Sequence, residues 1–146
     1  MLCARRRWRP WQRCGLRAEP VQALFAIAVG ASLGAWLRWG LGLWLNPLSK
    51  MMPLGTLAAN LLGGLLVGIA FAAFDQHPHW PQSLKLLCIT GFLGGLTTFS
   101  TFSAEIIALL QSGKLGYACA AILIHVIGSL LFTILGMSLH QWLTAA

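Results

Sequence analysis

The sequence contains few charged residues and very few acidic ones. Asp, Glu, Lys and Arg make up 9% of the 146 residues, and only three of them are acidic, Glu19, Asp75 and Glu105. A soluble domain carries about 25% charged residues, whereas 58% of this chain is apolar. The composition therefore favours a protein that lies in a lipid bilayer.

Groups that catalyse reactions are also scarce. No Ser or Thr has a His or Lys at an interpretable spacing, and the chain lacks a phosphate-binding loop and a dinucleotide fingerprint. The four cysteines, Cys3, Cys14, Cys88 and Cys119, show no paired metal-ligand spacing. These absences predict that the protein is not an enzyme.

Four long runs contain no Asp, Glu, Lys or Arg. They are residues 21–37, 54–74, 86–104 and 115–139. Each run approaches or exceeds the roughly 20 residues that a helix needs to cross the hydrocarbon. A backbone in lipid must satisfy its own hydrogen bonds, so runs of this length form helices. We predict an all-α membrane protein with four transmembrane helices, at about residues 20–45, 54–74, 83–111 and 115–142.

The positive charge is concentrated before the first span. Six of the ten Lys and Arg residues are Arg5, Arg6, Arg7, Arg9, Arg13 and Arg17. We expect a basic tail at residues 1–20 that lies near anionic lipid headgroups, followed by a transmembrane domain at residues 21–146, and no binding of nucleic acid. A specific partner for the tail, or a start of translation near Val21, are the alternatives.

Loop charges leave the orientation open. Without the tail, Lys85 on one side opposes Lys50 and Lys114 on the other, and a chain so nearly balanced can insert in both directions. With the tail, its six arginines favour one orientation. We predict dual topology, while the tail argues against it.

Small residues recur four positions apart in three of the predicted helices. The pairs are Gly30 and Gly34, Gly64 and Gly68, and Gly91 and Gly95. This spacing lets helices approach closely in lipid, where packing holds them together. Four closely packed helices leave little room for a pore within one subunit, so the pattern predicts a homodimer.

No acidic residue lies inside the apolar runs, and we expect all three carboxylates to lie at or beyond the ends of the spans that these runs define. A proton-coupled carrier needs an ionisable group deep in the membrane. His125 is the one titratable group near the centre of a span, and we expect it to donate to a backbone or hydroxyl group, with a proton relay as the alternative.

Uncharged polar groups remain as candidates for function. They are Asn60, a cluster at Thr97, Thr98, Ser100, Thr101 and Ser103, and the track His125, Ser129 and Thr133. Such groups donate hydrogen bonds without charge, which suits passage of a small anion. The alternative is that the hydroxyls bond to their own helix four residues back. Phe99 and Phe102 could attract an anion with their ring edges, and the preceding "GGLTT" predicts a break near the middle of the third helix.

Three blocks of the sequence resemble the Fluc/CrcB family of fluoride channels. They are "GASLGAWLRW" (residues 30–39), "PLGTLAANLLGG" (53–64) and "GFLGGLTTFSTFSAE" (91–105), and the similarity covers about residues 21–142. The resemblance implies an antiparallel, dual-topology homodimer with two fluoride pathways along the subunit interface. It also implies passive export of fluoride through a bacterial inner membrane.

The resemblance further implies roles for individual residues. Phe99 and Phe102 would line the pathways, and Asn60 would donate to fluoride. The other implied pathway residues are Ser100 and Thr101 at the helix break, Ser129 and Thr133 in the fourth helix, and Arg38 near an aqueous vestibule. The backbone carbonyls of Gly94 and Thr97 would hold a structural sodium ion on the two-fold axis.

Two other functions remain open at this point. A small dual-topology multidrug carrier is also a four-helix dimer, but it needs a carboxylate embedded in the first helix, which this sequence lacks. A structural subunit of a larger membrane complex is the third possibility, and it predicts that the purified chain moves no ion.

Overall fold

The fold is all-helical, as predicted, in a computed structural model that describes residues 20–49 and 51–145. The helices are α1 (Pro20–Leu45), α2 (Leu54–Gln76), α3 (Gln82–Lys85), α4 (Gly94–Leu96), α5 (Phe99–Gln111) and α6 (Leu115–Ala145). A short 3-10 helix (Asn46–Leu48) follows α1, and a π-helical segment (Leu86–Leu93) joins α3 to α4. Of the predicted basic tail, all but Pro20 lies outside the described residues.

Within the described residues, four helical stretches are long and apolar enough to cross a membrane. They are Pro20–Leu48, Leu54–Gln76, Gln82–Gln111 and Leu115–Ala145. The third stretch combines α3, the π-helical segment, α4 and α5. The four predicted spans are therefore confirmed, each within a few residues of its expected ends.

Proline and glycine set the boundaries between the spans. Pro53 and Pro81 are the residues immediately before α2 and α3, where an extended backbone leads into each helix. Gly113 adopts a left-handed conformation with a φ of 72° in the turn between α5 and α6. Glycine has no Cβ and tolerates this conformation, which allows the tight turn between the two helices.

Glycines bring the helices into backbone contact. A Cβ on Gly34 of α1 would overlap the carbonyl oxygen of Phe92, and one on Gly95 would meet the backbone of Ala31. In the same way, a Cβ on Gly68 of α2 would overlap the carbonyl oxygen of Thr133 on α6. The predicted close packing is confirmed, and it pairs α1 with the first half of the third span and α2 with α6.

Two small apolar clusters fill the interior. One is formed by Phe102, Ile106 and Leu109 of α5 with Ala118 and Ala121 of α6, and the other by Ala59 of α2 with Leu93 and Leu96. Many large apolar side chains are exposed instead, such as Trp36 at 67% and Leu130 at 62%. A surface of this kind is suited to lipid or to a second subunit.

Two residues with an extended backbone lie between α4 and α5. Thr97 has φ and ψ of −80° and 153°, and Thr98 has −151° and 120°. Helical hydrogen bonds cannot continue through this geometry, so the polar groups of the surrounding backbone need other partners.

Candidate functional site

Asn60 of α2 satisfies both backbone groups of Thr98. In a continuous α-helix the Thr98 N–H would donate to the carbonyl of Gly94. Instead it donates to Oδ1 of Asn60 at 2.8 Å, and Nδ2 of Asn60 donates to the carbonyl oxygen of Thr98 at 3.1 Å. The Asn60 side chain thus replaces the helical bond that the Thr98 N–H has lost. It also gives a further donor to the Thr98 carbonyl, which as the N-cap carbonyl of α5 still accepts a helical bond.

Arg38 of α1 provides a second replacement. Its Nε donates to the carbonyl oxygen of Gly95 at 3.1 Å. That carbonyl would accept from the N–H of Phe99 if the helix were continuous. Arg38 therefore bonds to the third span just before its two extended residues.

The carbonyl oxygens of Gly94 and Thr97 retain free acceptor capacity. Among the described residues, no side chain and no non-helical backbone group donates a hydrogen bond to either oxygen. Thr97 N–H and Oγ1 both donate to the carbonyl of Leu93, at 3.0 and 2.8 Å. Oxygen atoms without donors are the ligands that hard cations prefer, so the two carbonyls fit a cation such as sodium.

The start of α5 presents hydroxyl and amide groups together. Thr98 Oγ1 accepts from the N–H of Thr101 at 3.1 Å and donates to Thr101 Oγ1 at 3.0 Å, while Ser100 Oγ lies 3.3 Å from the Thr98 hydroxyl. Because Thr98 uses its proton on Thr101, the proton of Thr101 is available to another acceptor. The N-terminus of α5 also carries a partial positive charge, so this end of the helix favours an anion.

The two phenylalanines of α5 differ sharply in exposure. Phe99 is 77% exposed, whereas Phe102 is 7% exposed, and their ring centroids lie 5.6 Å apart at an interplanar angle of 52°. Phe102 also packs on the ring of His125, with centroids 4.6 Å apart. The tilted arrangement brings the edge of one ring toward the next, as aromatic pairs prefer.

His125 lies in the interior of the site. Its side chain is 5% exposed, and its Nδ1 atom lies 3.2 Å from Nδ2 of Asn60. The prediction that His125 donates to a backbone or hydroxyl group is wrong, because its partner is a side-chain amide that itself donates. Sequence spacing on α6 did not predict this contact, which depends on the register of α2 against α6.

A cavity of about 470 Å³ lies at one end of the site. Arg38, Thr56, Thr98, Thr101 and Glu105 are among the residues that line it. The buried Thr56 hydroxyl donates to Oε1 of Glu105 at 2.5 Å. The cavity therefore combines a cation, a carboxylate and several hydroxyls.

The sequence had led us to expect Glu105 at the end of a span, but the structure places it elsewhere. It lies within α5, which continues to Gln111, and its carboxylate faces Thr56 of α2. The prediction was wrong because the end of an uncharged run marks only the next charged residue, and the helix continues beyond it. Thr56 was missed altogether, although its position four residues before Asn60 places both on one face of α2.

The polar track on α6 is only partly free to donate. Thr133 Oγ1 donates to the carbonyl of Ser129 at 2.8 Å, which is the alternative that the spacing left open. The Ser129 hydroxyl forms no hydrogen bond among the described residues, and it is half-buried next to Gly64 of α2. Ser129 is thus the track residue whose hydroxyl is free for a ligand.

Comparisons with known proteins agree with one family. The family model described as "CrcB-like protein, Camphor Resistance (CrcB)" matches residues 25–137. A protein named "Fluoride-specific ion channel FluC" from Acinetobacter baumannii (strain ATCC 17978) is 57% identical over 119 residues, which is 82% of this chain and 94% of the relative.

Two further relatives carry the same name. The protein from Pseudomonas aeruginosa (strain UCBPP-PA14) is 57% identical over 122 residues, which is 84% of this chain and 96% of the relative. The protein from Cupriavidus pinatubonensis (strain JMP 134) is 56% identical over 118 residues, which is 81% of this chain and 94% of the relative.

Proposed function

The chain belongs to the CrcB family, and from this premise we propose that it is a fluoride-specific ion channel that exports fluoride from the cytoplasm. It is a multi-pass membrane protein and a channel rather than an enzyme, and we place it in a bacterial inner membrane. The observation that carries this function most directly is the 57% identity to a relative named "Fluoride-specific ion channel FluC", of which the match covers 94%.

Passive export suffices for this task because of the chemistry of fluoride. Hydrogen fluoride is a weak acid that crosses lipid as a neutral molecule and then dissociates in the cytoplasm. The anion cannot return through the hydrocarbon, so it is trapped until a protein provides a path. A channel that passes fluoride down its electrochemical gradient therefore lowers its toxicity without an energy source.

The proposed pathway offers donors and ring edges but little charge. Phe99 and Phe102 present ring edges, which carry partial positive charge. The hydroxyls of Thr101 and Ser129 have protons that no described residue accepts from them, and Ser100 and Thr133 add further hydroxyl oxygens. Donors of this kind replace the water that fluoride loses without binding it so tightly that it stays.

Asn60 contributes to the same pathway in a constrained way. Both of its N–H groups already have acceptors, namely the carbonyl oxygen of Thr98 and Nδ1 of His125. Asn60 can donate fully to a passing fluoride only if one of these bonds is given up. The 3.2 Å contact with His125 is the one we expect to exchange, because the two bonds to Thr98 support each other.

Arg38 is proposed to attract fluoride at the entrance. It lines the cavity of about 470 Å³ together with Thr101, one of the free hydroxyls. A cation in such a recess raises the local concentration of an anion. Because Arg38 Nε is bonded to Gly95, its remaining N–H groups are the ones available to an ion.

We propose that the functional unit is an antiparallel homodimer. Phe99 is 77% exposed although it neighbours the buried Phe102, so half of the proposed aromatic pathway lacks a wall in a single copy. A second copy would supply that wall. A C-terminal tag should then be accessible from both faces of the membrane, and access from one face alone would contradict dual topology.

A sodium ion at the two-fold axis completes the proposal. The carbonyl oxygens of Gly94 and Thr97 would contribute to its site, and the same oxygens from the second copy would complete it. Replacing sodium by N-methylglucamine on both sides of the membrane should lower the thermal stability of the dimer. Unchanged stability after thorough exchange would remove sodium from the account.

The channel function is tested by efflux from liposomes that contain the purified protein. A fluoride electrode should record rapid release once a potassium ionophore balances the charge, and a chloride electrode should record none above protein-free liposomes. No fluoride release would favour a structural subunit, and equal chloride release would contradict specificity for fluoride.

A further inference from the structure

We propose that His125 is a positioning residue for fluoride passage, and that its neutral ring holds the amide of Asn60 against Thr98 until an ion or a proton displaces it. This inference rests on the proposed channel function. His125 bonds to neither the N–H nor the carbonyl of Thr98, so its role differs from that of Asn60.

The orientation of the Asn60 amide follows from elementary chemistry. The Thr98 N–H can only donate, so the atom 2.8 Å from it must be the oxygen Oδ1. The Thr98 carbonyl can only accept, so the atom 3.1 Å from it must be the nitrogen Nδ2. The two contacts allow one orientation of the amide.

The tautomer of His125 follows from that orientation. Nδ2 of Asn60 has two hydrogens and no acceptor capacity, and one hydrogen is used on Thr98. The other points to Nδ1 of His125, which lies 3.2 Å away and must therefore accept. A neutral imidazole that accepts at Nδ1 carries its proton on Nε2.

The Nε2–H of His125 has no partner among the described residues. Every fully enclosed side-chain nitrogen or oxygen of the described part of the chain has a hydrogen-bond partner, and none is assigned to Nε2, so this atom reaches open space. The ring is 5% exposed and stacks at a tilt on Phe102. His125 therefore accepts from Asn60 at Nδ1, and its uncharged Nε2–H donor faces a small opening.

Protonation changes this arrangement in a defined way. A second proton on Nδ1 would place two donors 3.2 Å apart, so the bond to Asn60 must break. One N–H of Asn60 is then released, and an imidazolium lies beside it. Both changes favour an anion, so the apparent affinity of the pathway for fluoride should rise as the pH falls.

Few other titratable groups lie near the site, and each is distant from His125 or bonded to another residue. On α5 the group is Glu105, one turn from Phe102, and its carboxylate is bonded to Thr56. On α2 it is Asp75, 15 residues beyond Asn60 and about 22 Å along the helix. On α6 itself they are Tyr117, Cys119 and His140, each at least six residues along the helix from His125.

The first test needs no fluoride. Nitrogen-15 NMR of the histidine-labelled protein in lipid nanodiscs distinguishes the two neutral tautomers, and the H125N variant assigns the signal. We expect the Nε2–H tautomer, which should be lost in N60D because a carboxylate cannot donate to Nδ1. The Nδ1–H tautomer in the wild type, or the same tautomer in N60D, would overturn the proposal.

The second test measures the half-saturating fluoride concentration for efflux between pH 8 and pH 6, after subtraction of protein-free liposomes. The wild type should show a decrease toward pH 6 of at most about fivefold, the equivalent of one hydrogen bond. H125N retains an acceptor near the position of Nδ1 but does not titrate, so its value should stay constant. H125L removes the acceptor and should release Asn60 at every pH.

A matched control is H140N, which makes the same change on the same helix far from the site, and it should keep the wild-type pH profile. A pH dependence that persists in H125N would overturn the role of His125. A wild-type protein that passes no fluoride would refute the channel function instead, while the NMR result would still decide whether His125 positions Asn60.

Discussion

Replacing Gly68 by Ala tests the packing that positions the site. An ideal Cβ at Gly68 would overlap the carbonyl oxygen of Thr133 and would lie 2.9 Å from the backbone nitrogen of Met137. Both obstacles are backbone atoms, so no side-chain rotation can relieve them. Restoring ordinary contact distances requires α2 and α6 to separate by about 1 Å.

The magnitude follows from two opposing effects. Overpacking of this kind costs about 1–3 kcal/mol, while Ala in place of Gly favours the helix by about 1 kcal/mol. We expect a net loss of up to about 2 kcal/mol in the free energy of unfolding. The 3.2 Å contact between Asn60 and His125 spans the same helix pair, so a separation of about 1 Å would break it.

Unfolding by SDS in mixed micelles, followed by circular dichroism, measures the loss, and fluoride efflux measures the functional consequence. G128A is the matched control, because its Cβ would meet only Cδ2 of Leu61, the end of a flexible side chain. G128A has the same helix-favouring change without the backbone overlap, so it should be as stable as the wild type or up to about 1 kcal/mol more stable. If G68A were as stable as G128A and conducted fully, the reasoning from backbone contact would be refuted.

Two further predictions concern side chains of α5 and its neighbours. F99I and F102I should each lower fluoride efflux by about two- to tenfold, because a ring edge contributes on the order of 0.5–1.5 kcal/mol. F25I makes the same change at another exposed ring and should leave efflux intact, and full activity of both pathway variants would remove the aromatic mechanism. T56V should lower the free energy of unfolding by about 1–3 kcal/mol, because the Glu105 carboxylate loses its donor. T56S keeps the hydroxyl and should restore the stability, and equal stability of the two variants would show that the contact contributes nothing.

Much of the fold could be predicted because the bilayer imposes strong rules. Runs without charge marked the four spans, and the ends agreed with the structure to within a few residues for α1 and α2. The glycine pairs also predicted close packing correctly, since Gly34 and Gly68 both contact a neighbouring backbone. These features follow from length and residue size, which a single sequence displays.

The contacts within the site could not be predicted in the same way. The bonds from Asn60 to Thr98 and from Thr56 to Glu105 join residues 38 and 49 positions apart. They depend on the register between α2 and the third span, which helical periodicity leaves undetermined. For the same reason the sequence identified His125 as unusual but assigned it the wrong kind of partner.

The central claim is that this protein passes fluoride passively and excludes chloride, and recording in a planar bilayer tests it most directly. With a fluoride gradient and equal chloride on both sides, the account predicts a current that reverses at the fluoride equilibrium potential. Adding chloride to one side should leave that potential unchanged. The absence of current, or a reversal potential that follows the chloride gradient, would contradict the account.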